Sequence, residues 1–267
     1  VKYNGTRAAG PAENRYELPV MAGICAADAF RENWMNYIPE MLGWQQDKPV
    51  KILDVGANLG QLLWAVIDQG YAPSYMGIEP HPTNYAYLSR TALINPELGM
   101  QIFPVAFTQN AGVGALLMRK TGVDVYASIS DDTRQHSFYK ARYPVILQPG
   151  DSVLKDSDFE CPDLIKIDVE GAELSVMRGL SKTLLQHKPD LVFELLPNQE
   201  TSATNDEESK VRDRNASDMK EFLAPFGYQY YQLLEAGPKK LSTLPAAVDI
   251  KALEEANILA TTKNIDV

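Results

Sequence analysis

The segment Val50 to Glu79, VKILDVGANLGQLLWAVIDQGYAPSYMGIE, constrains this chain more than any other. Val50 to Val55 is an apolar run of strand length, Gly56-Ala57-Asn58-Leu59-Gly60 is a turn, and Gln61 to Gln69 repeats its apolar residues at helical spacing. Tyr75 to Ile78 reads as a second strand ending on an acid, Glu79. A strand, a glycine turn, a helix and a further strand close as a right-handed crossover unit of a parallel sheet.

The turn suggests a ligand. Gly56 and Gly60 lack Cβ atoms where the backbone bends, so main-chain N–H groups at the following helix can approach a bound molecule, with Asn58 between them. An acid at the tip of the next strand, some twenty residues on, is placed to bind both hydroxyls of a ribose, and Glu79 fits. Dinucleotide sites share this glycine turn, so Asp54 decides between them. Two residues before the first glycine, its carboxylate can face the cationic amino end of a methionyl group and would repel a pyrophosphate. Asp-Val-Gly-Ala-Asn-Leu-Gly therefore resembles the first motif of a class I S-adenosylmethionine (SAM) methyltransferase.

Composition narrows the class. The 267 residues suffice for one sizeable α/β domain with an appendage, and 45% hydrophobic with 22% charged residues is ordinary for a globular protein. A net charge of −10 disfavours a nucleic-acid substrate. Cys25 and Cys161 stand far apart, outside any metal-spaced motif, and are expected to be buried packing residues in a reducing, cytoplasmic setting. No apolar run is long enough to span a membrane, and the start lacks a signal pattern.

Along the chain, residues 1–17 read as an irregular arm, and Leu18 to Leu42 as one or two helices interrupted at Pro39. Together, residues 1–47 form an expected N-terminal helical extension that roofs the pocket or packs on an outer face; residues 48–267 form the catalytic domain. Thr83 or Asn84 is the expected cap of a helix from Tyr85 to Ile94. Gln101 to Phe107 reads as one strand, which would set Ala106 beside an adenine. Gly114 to Lys120 and Val145 to Gln148 read as further strands or a hairpin. Leu164 to Val169, a turn at Glu170-Gly171, a helix carrying Glu173, and Asp190 to Leu196 repeat the β–α–β pattern. Pro197 to Asp218, poor in apolar residues, reads as a long loop, a lid or disordered, with a helix near Asp218 to Leu223. Residues 249–256 read as a short helix and Asn257 to Thr262 as the closing strand. The expected architecture is a doubly wound, Rossmann-like, seven-stranded, mostly parallel sheet with helices on both faces and an antiparallel last strand.

With these stretches in view, the chain resembles the FkbM family of SAM-dependent methyltransferases. The matching segments are ILDVGANLG (52–60), GIEPHPTNYAYL (77–88), DLIKIDVEGAEL (163–174), VMRGL (176–180), KPDLVFEL (188–195) and NILATTK (257–263), with the Lys-Ile-Asp-Val-Glu-Gly-Ala-Glu block the most specific. The resemblance implies SAM as cofactor, S-adenosylhomocysteine as product, and O-methylation of a hydroxyl on a sugar, glycan or natural product. His81 stands where the family more often has a small residue, and residues 1–45 and 197–215 match nothing in it.

Methyl transfer from a sulfonium needs an aligned acceptor oxygen and a way to remove its proton. Candidates lie at the carboxyl ends of central strands. Asp168 is the first choice for base or metal ligand, although capping the turn or orienting the cofactor accounts for it equally. Glu194, at the end of the adjacent strand, and His81, just after the ribose acid, are the other catalytic candidates. Asp168, Glu170 and Glu194 together resemble a hard-cation site with an incomplete ligand set, so a metal is not favoured. Lys166, in a buried strand, must be paired, with Glu194 or Asp54. Glu173 reads as a helix-terminus acid. His136, near Tyr126 and Ser128, is an open candidate, and His187 reads as solvent-facing. Two rival functions remain: a nicotinamide-dependent oxidoreductase, and a non-catalytic SAM-binding scaffold.

Overall fold

A computed structural model of the chain describes residues 3–10, 16–21, 25–26, 32–120, 122, 124, 126–130, 133–134, 136–155, 157–198, 206–252 and 255–266. In chain order the elements are β1 (Tyr3–Ala9), β2 (Tyr16–Met21), α1 (Trp34–Met41), β3 (Lys51–Val55), α2 (Gln61–Asp68), β4 (Ser74–Ile78), α3 (Pro82–Ile94), β5 (Gln101–Phe103), β6 (Val105–Phe107) and β7 (Gly112–Met118). They continue with β8 (Ala141–Gln148), α4 (Gly150–Leu154), β9 (Leu164–Ile167), α5 (Glu173–Gly179), α6 (Ser181–His187), β10 (Asp190–Glu194), α7 (Asp206–Leu223), β11 (Gln229–Leu234), β12 (Gly237–Leu241) and β13 (Asn257–Thr261).

The central strands are apolar at successive positions, so both their faces must be covered. Ile52, Tyr75 and Leu164 pack with Trp64 of α2 on one face, while their neighbours Leu53, Met76 and Ile165 pack with Met177 of α5 on the other. The resulting sheet runs β12-β11-β13-β10-β9-β3-β4-β5. From β10 to β5 the pairing is parallel; β13, β11 and β12 extend it antiparallel. The chain winds outward from β3 to β5 and returns to lay β9 against the other side of β3. The switch point therefore falls between β3 and β9, and a crevice opens beyond their carboxyl ends.

Several expectations are corrected. The sheet has eight strands instead of seven, because the Gly237–Leu241 segment folds back on β11 as an edge strand carrying exposed Lys239 and Lys240. Gln101 to Phe107 is two strands: Pro104, which has no N–H for a ladder, separates β5 from β6, and β6 joins a second sheet ordered β6-β8-β7. The first 21 residues are not an irregular arm leading into a helix. Their described residues form two antiparallel paired strands, β1 and β2, and Leu18, expected to be helical, is a strand residue. A short apolar run does not reveal its period, and here a tertiary contact decides. The buried Asn95 side chain accepts from Glu17 N and donates to Glu17 O, both at 2.7 Å, as a neighbouring strand would. Described helix in the N-terminal region is confined to α1 and a single residue, Ala26. Residues 22–24 and 27–31 lie outside the described residues.

Helix α7 begins at Asp206, where a loop is expected up to Asp218. Its buried stripe is Glu208, Arg212, Ala216, Met219 and Leu223, spaced for a helix but with two charged members that hide the apolar pattern. Acids in its first turn suit the helix dipole. Residues 199–205 lie outside the described residues, so the lid reading is not addressed there. Of the helix expected over 249–256, the described residues hold only a 3-10 turn at Ala247–Asp249 and Glu255. Helix α3 starts at Pro82 with His81, not Thr83 or Asn84, as its cap. No helix among the described residues is long and apolar enough to cross a membrane.

Asn95→Ala removes the groups that pair with Glu17 and is expected to cost about 2 kcal/mol in urea unfolding and to expose the β1–β2 pair to protease. Unchanged stability and proteolysis would show that the pair is held by other contacts.

Candidate active site

The turn between β3 and α2 is built from left-handed residues: Gly56 (φ 79°), Asn58 (φ 49°) and Gly60 (φ 80°). A Cβ on Gly56 would lie 1.8 Å from the carbonyl oxygen of Asp168, so glycine is required there by the approach of the β9 end. Each amide of the turn already has an acceptor. Gly56 N and Ala57 N donate to Ile78 O, Asn58 N to Glu79 Oε2, Leu59 N to Gln61 Oε1, and Gly60 N to Ala57 O. The expectation that these amides face a ligand is therefore corrected: they are spent on the protein.

Above the turn lies an open cavity. Gly56, Asn58, Glu79, Asp168, Val169 and Glu170 line it, together with the apolar Ala106, Phe107, Leu116 and Ile129. Four acids (Glu79, Asp124, Asp168, Glu170) line it, and among the described lining residues there is no Lys, Arg or His. Gly56, Asn58, Glu79, Ala106, Asp168 and Glu170 are thus brought together as the sequence suggests. Asp54, Gly60, His81 and Glu194 are not in the wall.

Asp54 sits one layer below. It is buried, its Oδ2 accepts from Tyr75 Oη at 2.7 Å, and its Oδ1 forms an ion pair with Lys166 Nζ at 3.3 Å. Lys166 continues to Asp168 Oδ2 at 3.1 Å and donates to Gly56 O at 3.3 Å. Burial pushes the Asp54 carboxyl up, against the opposing pull of Lys166 and Tyr75. Burial alone would lower the Lys166 ammonium, but Asp168 and Asp54 outweigh it and hold it above the usual lysine value. Asp54 is not among the residues lining the cavity, and the register of β3 on β9 sets it opposite Lys166. Of the two partners expected for Lys166, the structure supplies Asp54 and adds Asp168; Glu194 has no ion pair with it.

Glu79 is buried, with Oε2 accepting from Asn58 N and Oε1 from His81 N, both at 2.7 Å. Burial pushes its carboxyl up to about 7, against those two donors. His81 is buried as well, and its Nδ1 accepts from Thr83 N at 3.3 Å as the cap of α3. Burial lowers its pKa, with Asp124 opposing. That place in the helix cap removes it from the cavity wall where a base was expected.

Carboxylate oxygens of Asp168, Glu170 and Glu194 lie within 4.8 Å of one another. Lys166 pairs with the first, and Arg134 pairs with the second at 2.6 Å. Glu194 is held well above the usual carboxylate range by burial, then by Glu170, Asp168 and Glu173, and its Oε2 has no hydrogen-bond partner among the described residues. Glu173 accepts from Val169 N and Gly171 N and is pushed to about 7 by burial, as a structural acid of the turn. Ser128 Oγ donates to Glu170 O at 2.9 Å, and the Arg134 guanidinium lies over the Tyr126 and Phe138 rings. His136 begins a 3-10 turn, and its side chain lies outside the described residues. His187 is exposed, its Nδ1 3.1 Å from Cys161 Sγ; Cys161 is exposed, contrary to expectation, while Cys25 is buried. Arg134, Asp124 and Asn84 were not legible as site residues. Asn84 reads as a helix cap, and an acid such as Asp124 in a Gly-containing loop reads as a turn residue.

A doubly wound sheet with a cavity at its switch point is a methyltransferase-like α/β fold. Residues 54–230 match the family model described as Methyltransferase FkbM domain, and the chain belongs to that family of methyltransferases. No curated protein matches it in sequence. Among solved structures, Methyltransferase FkbM from Methylobacillus flagellatus KT superposes with a TM-score of 0.50 at 16% identity, over 88% of this chain and 49% of that one. Precorrin-6y C5,15-methyltransferase from Geobacter metallireducens GS-15 gives 0.39 at 11% over 81% of each chain. The bifunctional kinase-methyltransferase WbdD gives 0.43 at 12%, over 88% of this chain and 39% of that one. At such identities the likeness to the Methylobacillus protein concerns the fold, and this chain spans about half that protein's length.

Lys166→Met leaves Asp54 buried without its cation and is expected to cost about 3–5 kcal/mol in denaturant unfolding. Adding Asp54→Asn should recover much of the loss, since the uncompensated charge is gone; additive losses would contradict the coupling.

Proposed function

We propose that this methyltransferase uses SAM and methylates a hydroxyl on a sugar, glycan or natural-product small molecule, releasing S-adenosylhomocysteine. The observation that carries the cofactor assignment is the charge of the cavity. Acids line it, no base does among the described residues, and the glycine turn has spent its amides internally. A pyrophosphate needs free N–H groups or cations at this turn. A ligand carrying a diol and positive charge needs the reverse. The nicotinamide reading is therefore disfavoured.

The residues present fit SAM. Glu79 would hold the ribose, Asn58 the turn side, and Ala106, Phe107 and Ile129 the adenine. When bound, SAM supplies an activated methyl carbon. That methyl would pass from sulfur to an acceptor hydroxyl, leaving S-adenosylhomocysteine, and a carboxylate of this chain would take the hydroxyl proton.

Asp168 is our assigned base. Its side chain is 35% exposed on the cavity wall, and Lys166 holds Oδ2, so Oδ1 is left for the acceptor. Glu194, held well above the usual carboxylate range by burial and then by its acidic neighbours, is biased toward its neutral form, which eases the repulsion among the three carboxyls. Arg134 pairs with Glu170, and Lys166, shared between Asp54 and Asp168, holds the second of the three carboxylates, so two of the three already have a cationic partner without a divalent ion. Turnover is accordingly expected to survive EDTA.

Calorimetry tests the assignment: S-adenosylhomocysteine should give a saturable heat and NAD⁺ none, and the opposite pattern would overturn it. Ionised Glu79 accepts ribose hydroxyls best, and its carboxyl is pushed to about 7, so affinity should fall as pH drops from 8 to 6. Glu79→Gln should bind more weakly and flatten that profile; an unchanged pH dependence would remove Glu79 from the site. Asp168→Asn should lower turnover by roughly 100-fold or more, with S-adenosylhomocysteine binding little changed. Equal losses in both would make Asp168 a cofactor ligand instead of a base. A scaffold without activity would bind the product and turn over no acceptor.

A further inference from the structure

Asn84 lies in the first turn of α3, is 1% exposed, and lines the cavity. Its amide nitrogen donates to Asn58 Oδ1 at 3.2 Å. Its oxygen, Oδ1, has no hydrogen-bond partner among the described residues. A carboxamide oxygen is only an acceptor, and a buried one without a donor costs free energy. The oxygen is therefore suited to a ligand group that brings an O–H or N–H.

The surrounding bonds say which part of the ligand that is. Asn58, which holds the Asn84 amide, also donates its main-chain N–H to Glu79 Oε2. His81, the cap of the same helix, donates its N–H to Glu79 Oε1. One short chain of hydrogen bonds thus ties Asn84 through Asn58 to the carboxylate assigned to the ribose, and Asn84, Asn58 and Glu79 all line the cavity. We infer that Asn84 is a specificity-determining residue for the nucleoside: its Oδ1 accepts one ribose hydroxyl while Glu79 accepts the other. This rests on the SAM reading above and extends it, because two acceptors select a full 2′,3′-diol where a single carboxylate would tolerate loss of one hydroxyl.

The test is calorimetric titration with S-adenosylhomocysteine and its 2′-deoxy and 3′-deoxy analogues. The wild-type protein is expected to lose about tenfold in affinity for each analogue. Asn84→Ala should bind S-adenosylhomocysteine about tenfold more weakly and no longer distinguish it from one of the two analogues, because the partner of that hydroxyl is gone. If Asn84→Ala does not fold, Asn84→Asp replaces it. That variant keeps an acceptor oxygen but cannot donate to Asn58, so discrimination against both analogues should persist. Full affinity in Asn84→Ala, equal analogue penalties in variant and wild type, or lost discrimination in Asn84→Asp would overturn the inference. Absence of S-adenosylhomocysteine binding to the wild type would instead overturn the cofactor assignment, and this inference with it.

Discussion

A lysine buried between two strands organises the site. Lys166 lies in β9 opposite Asp54 of β3, and its ammonium reaches Asp54, Asp168 and the carbonyl of Gly56. An ammonium in a strand covered on both faces is tolerated only when paired, so its partners are constrained as tightly as it is. One link fixes the buried floor, one the start of the glycine turn, and one the carboxylate on the cavity wall. The same approach of β9 to β3 makes Gly56 obligatory, since any side chain there would meet the Asp168 backbone. The close packing of two neighbouring strands and the placing of a candidate base are one arrangement.

What the cavity selects follows from how its polar groups are spent. In a phosphate-binding turn, amides point outward; here each is satisfied within the protein, and the charged side chains among the described wall residues are carboxylates, which accept. Acceptors prefer hydroxyls and cations. The family match gives the reaction class, while the acid-lined wall is the physical reason to prefer a sulfonium nucleoside over a dinucleotide. Hydrophobic contact is supplied on the opposite side by the small sheet of β6, β8 and β7, whose Ala106 and Leu116 close the crevice.

The parallel core was legible because its strands are continuous apolar runs broken by glycine or an acid, as at Gly56 and Glu79. Burial and exposure of their side chains follow from that pattern alone. Partner choice does not. Asp54 was expected to face the ligand because a sequence shows that a strand carries an acid and not which residue of the next strand stands opposite. The answer, Lys166, lies far along the chain. Helix α7 was hidden because Glu208 and Arg212 occupy its buried stripe, and the β1–β2 pair because its docking depends on Asn95, remote in sequence. Arg134 and Asn84 were missed for a related reason: their roles come from contacts with Glu170 and Asn58 across the fold.

The central claim is that the cavity between β3 and β9 holds a cationic nucleoside by its acids. A crystal structure of the protein soaked with S-adenosylhomocysteine tests it most directly. The account predicts the ribose at Glu79, the adenine against Ala106 and Phe107, and the sulfur facing Asp168. Density for the ligand elsewhere, or a phosphate group seated on the Gly56–Gly60 turn, would contradict it.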